Sequence, residues 1–143
     1  MKKLFLIAAL TTLAACATYK DNAPSWMPGS NAIKVNLTGA EEVPPLGVTG
    51  TGSGTFRVAD DGTITGSVTT KDVAGTMAHI HRGAKGQNGP VIVPLDKSGD
   101  TYSVPAGRKL TEAQIKDLKA GNLYVNVHTA KNKGGEVRAQ LQP

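Results

Sequence analysis

From Ile33 onward the chain alternates apolar and polar residues with a period of two. Ile33, Val35 and Leu37 are interleaved with Lys34 and Asn36, the pattern of a strand with one buried face. The alternation returns from Gly50 to Val58. Asp60-Asp61-Gly62 then supplies a hairpin turn, because Asp tolerates turn geometry and Gly accepts positive φ. Ile64, Gly66 and Val68 continue as the return strand. Further strands are predicted over Met77–His81, Val91–Leu95, 101–104, Leu123–His128 and Glu136–Leu141. Pro94 lies inside the Val91 run, so an edge or a bulge is expected there. Glu41-Glu42-Val43-Pro44-Pro45 breaks the alternation and reads as a loop or an edge.

One segment carries a helical period instead. Thr111 is an N-cap with Gln114 three positions on, the signature of a capping box. Leu110 can staple against Ile115, Ile115 and Leu118 share a face, and Gly121 ends the run. This predicts one short helix near residues 112–120. With about seven or eight strands around it, the pattern predicts an all-β fold: a Greek-key β-sandwich of immunoglobulin-like type.

Composition narrows the function classes. The 143 residues suit one domain. There are 17 Gly and 8 Pro against 1 Trp, 3 Tyr and 2 Phe, which favours short strands and tight turns over a helical bundle. The single Cys excludes a disulfide framework and any Cys-rich zinc module. Two positive charges of the net +5 sit on Lys2 and Lys3, and the other basic residues are scattered, so no nucleic-acid partner is expected.

Residues 1–16 read MKKLFLIAALTTLAAC. A basic start followed by an apolar stretch too short to span a bilayer is an export signal. Leu13-Ala14-Ala15-Cys16 resembles the lipobox of bacterial lipoproteins. The resemblance implies cleavage before Cys16 and lipidation of its thiol, so residues 1–15 would be the signal peptide. Residues 16–31 contain Pro24, Pro28 and Gly29 without periodicity and read as a tether. Ala17 stands where retention signals for the inner membrane carry Asp. By that resemblance the protein is lipid-anchored in the cell envelope, at the outer membrane facing the periplasm.

The chain has 3 His, all in strand-like segments. His79 and His81 flank Ile80 and so point to one face of a strand, with Cα atoms ~6.5 Å apart. In Tyr124-Val125-Asn126-Val127-His128, the two valines face the core and His128 lies on the opposite face. If the two strands are neighbours, three imidazoles meet at one end of the fold with ring nitrogens within ~4 Å, given metal–nitrogen bonds of ~2 Å. Such a set holds one ion, and its binding should weaken as protons compete near pH ~6.5. The same residues could instead hydrogen-bond loop carbonyls with no metal involved. Met77 is in phase with His79 and His81, and a thioether there favours Cu(I); packing is the commoner role of Met. Glu42 and Glu136 could orient an imidazole or act as a fourth ligand. An ion pair of either with Arg138 or Arg82 is the preferred reading.

Four blocks now stand in order: Leu37-Thr38-Gly39-Ala40-Glu41-Glu42-Val43-Pro44-Pro45; Ala78-His79-Ile80-His81-Arg82-Gly83 with Gly86 and Asn88-Gly89-Pro90-Val91; Gly121 to Thr129; and Gly135-Glu136-Val137-Arg138-Ala139-Gln140-Leu141. Together they resemble the CHRD domain, over about residues 33–142 of a domain that spans 32–143. The resemblance implies an immunoglobulin-like β-barrel or sandwich and implies little about activity. The family usually has Gly before the final Gln-Leu; here Ala139 stands there, so this backbone position does not require positive φ. The His blocks are also similar to those of Cu/Zn superoxide dismutases, whose two-metal site uses six His and an Asp; three His allow one ion at most. Copper or zinc suits imidazole ligands. The principal reading is an envelope lipoprotein that binds one copper or zinc ion for metal handling or protection, with the membrane and the ion as partners. The alternative is a non-metal module that presents loops to an envelope protein or polysaccharide. A metal-dependent enzyme is less supported, because no general base is evident by spacing.

Overall fold

The alternating segments form eight strands: β1 (Ile33–Thr38), β2 (Thr51–Val58), β3 (Ile64–Lys71), β4 (Gly75–Arg82), β5 (Val91–Ser98), β6 (Thr101–Ser103), β7 (Leu123–Thr129) and β8 (Val137–Leu141). Among the described residues one α-helix, α1, spans Glu112–Lys119, and a short 3-10 turn covers Gly39–Glu41. These come from a computed structural model that describes residues 32–143. The signal peptide, Cys16 and the tether predicted over residues 1–31 lie outside the described residues. Every strand pair is antiparallel, in the order β1-β2-β3-β6-β5-β4-β7-β8, and the pairing of Thr38 with Arg138 closes the ring. Of the sandwich and barrel forms, the chain thus takes the closed barrel. Closure removes free sheet edges, the usual route to unwanted strand pairing.

The barrel is filled by the apolar half of each alternation. Val35, Leu37, Phe56, Ile64, Val68, Ala78, Ile80, Val93, Val125, Val127, Val137 and Leu141 all belong to one buried cluster. The β2–β3 turn forms as the residue types require: Gly62 has φ +83°, its N–H donates to the Ala59 carbonyl, and the Asp61 carboxylate accepts from the Thr63 N–H. Pro94 pairs with His79 of β4, whereas β5 meets β6 only from Asp96 onward. The missing N–H therefore falls where β5 has no ladder partner on its other side. The register shift lies next to it, between Ile80 and His81 of β4. Ala139 is buried in β8 with ordinary strand geometry.

Helix α1 begins where its capping chemistry begins. The Thr111 hydroxyl accepts from the Gln114 N–H, and the Gln114 side chain accepts from the Thr111 N–H. It ends in a Schellman turn: Gly121, at φ +71°, donates to Leu118 and Asn122 donates to Asp117. Leu110 and Leu118 join the barrel core, with Ile115 packed against it. Replacing Thr111 with Ala should lower stability by about 1 kcal/mol while keeping the fold, read as a shift in the urea midpoint. No change would mean that the capping box carries none of the helix's stability. No helix among the described residues is long and apolar enough to cross a membrane.

Candidate metal centre

The two strands that carry the histidines are neighbours. β4 and β7 pair with Met77 opposite His128, His79 opposite Asn126 and His81 opposite Tyr124. Ala78, Ile80, Val125 and Val127 fill the barrel, so the imidazoles stand on its outer wall. The sequence placed them at one end of the fold; they lie instead along the wall, under loops. β7 is buried at every position, because its outer face is covered too. The segment after β4 is held down by Arg138, which donates to the Gln87, Ala84 and Asn88 oxygens, and by the Gln140 amide on the Gly83 carbonyl. The segment before β8 is held by Asn126 on the Gly134 carbonyl.

Within this cover the three His come together, with one ligand atom from each inside 4.8 Å of the others. This is a wider set than the ~4 Å expected from the sequence, which is the spacing of rings drawn inward by bonds to a common ion. His79 Nδ1 and His128 Nε2 are 3.0 Å apart. Nitrogens on one tetrahedral ion stand ~3.3 Å apart for bonds of ~2.0–2.1 Å. One pair already matches, and the widest must close by ~1.5 Å. His81 donates from Nδ1 to the Gly89 carbonyl at 3.0 Å, and His128 from Nδ1 to the Lys133 carbonyl at 2.8 Å. These contacts fix both tautomers with the lone pair on Nε2. They also satisfy the expectation that imidazoles would bond loop carbonyls. That expectation leaves His81 Nε2 unexplained: it is buried and no group donates to it, and the neighbouring Asn126 Oδ1, itself unpartnered, can only accept. A buried lone pair with nothing to accept costs about 1–3 kcal/mol.

Burial acts on the charge of these groups. It is the main reason the His79 imidazole is held down at about 4, with the nearby His128 and His81 adding to it. Burial also lowers His81, partly offset by the Gly89 carbonyl and Asn126. Both rings are therefore neutral near pH 7, the form in which a lone pair is free. His81 stacks flat on Tyr124, with centroids 4.8 Å apart, and the Arg138 guanidinium lies 3.4 Å from the Tyr124 centroid. β4 and β8 flank β7, so Tyr124 stands between the ring and the cation. The Gly89 that holds His81 sits against the Arg82 carbonyl oxygen, where a Cβ would have no room.

The remaining sequence candidates divide. Met77 is 50% exposed and directly across from His128. Glu42 is buried, with one carboxylate oxygen unpartnered and Asn126 nearby, and burial pushes it up to about 7 against the pull of Arg138. Glu136 accepts from the Thr129 hydroxyl at 2.7 Å and the Asn132 amide at 3.0 Å. Arg82 pairs with Asp117 at 2.8 Å. The preferred ion pairs of Glu42 and Glu136 with Arg138 or Arg82 are thus not formed among the described residues. Glu136 takes hydroxyl and amide donors, Arg138 takes loop carbonyls and Arg82 takes the Asp117 carboxylate instead. Asn126 and Tyr124 were missed as site residues. Their shared face with His128 was the available signal.

The model of the CHRD domain matches residues 33–141 of this chain. No curated protein and no solved structure gives a match.

Proposed function

This chain belongs to the CHRD domain family, and we propose that its domain binds one copper or zinc ion through His79, His81 and His128. The observation that carries this reading is the buried Nε2 lone pair of His81, unpartnered beside two further imidazoles. Ligating imidazoles characteristically give their second N–H to a backbone carbonyl, as His81 and His128 do. A bound ion would supply a positive centre for the three lone pairs. The chain's own residues do the rest: Gly89 and Lys133 orient two rings, and Tyr124 backs one of them.

The expected role is metal handling or protection in the cell envelope. Leu13-Ala14-Ala15-Cys16 supports a lipid anchor at the outer membrane facing the periplasm. Replacing Cys16 with Ser should move the protein from the membrane fraction to soluble periplasm or to unprocessed precursor. Mature, lipid-modified Cys16→Ser protein in the membrane fraction would refute the anchor. The order β3-β6-β5-β4, with β3 beside β6, supports a Greek-key reading of the barrel.

Protonation sets the pH dependence. A lowered imidazole pKa means that protons compete with metal only at lower pH. Three imidazoles of ordinary pKa would lose roughly 10⁴-fold in affinity between pH 7 and 5. Because His79 is held at about 4 and His81 is lowered, the loss here should be far shallower. Metal titrations across that range check it; a three-proton fall beginning near ~6.5 would contradict the lowered His79 and His81 imidazoles while still requiring three His ligands.

A further inference from the structure

We propose that Met77 contributes its thioether to this centre and biases it toward Cu(I) over Zn(II). The inference rests on the three-imidazole reading and deepens it. Met77 sits two residues from His79 on the same face of β4 and directly opposite His128 on β7. Directly opposed residues have Cβ atoms ~4.5–5.5 Å apart, a gap that a flexible methionine side chain spans. Packing is the ordinary role of methionine, yet Met77 is 50% exposed and belongs to no core cluster. Val91, 48% exposed, pairs with His81 from β5. The two exposed large apolar side chains among the described residues thus both border the imidazoles.

Two physical arguments favour the monovalent ion. A thioether is a soft donor, which suits Cu(I). The donor set is also uncharged. Glu136 is engaged by Thr129 and Asn132, and Glu42 is not among the groups gathered around the site. The charge of the ion is therefore not cancelled by a ligand, and the Arg138 cation lies behind Tyr124 on the far side of His81. The cost of even partly desolvating an ion grows with the square of its charge, so among these uncharged donors a divalent ion gains less than a monovalent one.

The test is an anaerobic titration of the mature protein with Cu(I) against a chromophoric chelator. It is paired with a Zn(II) titration and with X-ray absorption of the Cu(I)-loaded protein, for wild type and Met77→Leu. Wild type should hold Cu(I) more tightly than Zn(II) and show a sulfur neighbour to copper. Met77→Leu should weaken Cu(I) by roughly tenfold, leave Zn(II) unchanged and lose the sulfur signal. If the variant fails to fold, the sulfur signal of wild type decides. No sulfur neighbour, or Zn(II) bound more tightly than Cu(I), overturns the role of Met77 and leaves the three-imidazole site standing. Failure of wild type to bind either ion overturns both.

Discussion

Replacing His81 with Ala is expected to weaken metal binding by more than about 100-fold. Loss of a group that merely orients a ligand costs 10–100-fold, and His81 is itself a ligand in this account. The two rings left behind come from different strands and already bond to one another at 3.0 Å. An ion would have to break that contact to gain only two nitrogens. The substitution also removes the stack on Tyr124 and the donor to the Gly89 carbonyl. His81→Phe separates these effects, since it keeps a ring on Tyr124 but offers no lone pair. Both variants should lose the metal, with His81→Ala the less stable in urea. Metal affinity retained in His81→Phe would remove His81 from the ligand set.

Replacing Arg138 with Ala should cost roughly 3–5 kcal/mol. Arg138 is 1% exposed and is the largest of the fully buried side chains. Its guanidinium donates to the Gln87 carbonyl at 2.8 Å, reaches Ala84, Asn88 and Gln140, and lies over Tyr124. Without it, the loop carbonyls lose a buried donor and the cover over β7 loosens. The cation that pulls the Glu42 carboxyl downward is also removed, so Glu42 should titrate above its present value of about 7. The loss is a large share of the ~5–15 kcal/mol that holds a domain folded. Arg138→Lys, which keeps the charge and loses the planar fork, should fall between wild type and Ala. Urea unfolding measures all three; a change under ~1 kcal/mol in Arg138→Ala would show that this cover is not structural.

The contrast between these residues explains what the sequence could tell. β1, β2 and β3 were legible because their outer faces carry Lys, Asn, Thr and Ser against an apolar inner row. Helix α1 was legible because its capping box is local, closed within four residues. The shared face of His79 and His81 followed from alternation alone, and the pairing of β4 with β7 brought His128 to it. Alternation says which residues share a face, but not what later covers that face. The burial of Arg138, Asn126 and Tyr124 depends on loops fixed by bonds to residues some fifty positions away, such as Arg138 to Gln87. The depressed imidazoles and the raised Glu42 follow from that burial. This is why the sequence assigned an ordinary pH of ~6.5 to the site.

The most direct test of the account is the metal content of the mature protein after equilibrium dialysis against zinc, and against Cu(I) under anaerobic conditions, with elemental analysis. It should be compared with a variant in which His79, His81 and His128 are all replaced by Ala. One ion per wild-type chain and none in the triple variant is the expected result. A wild-type chain that holds no ion, or a triple variant that holds as much as wild type, would contradict it.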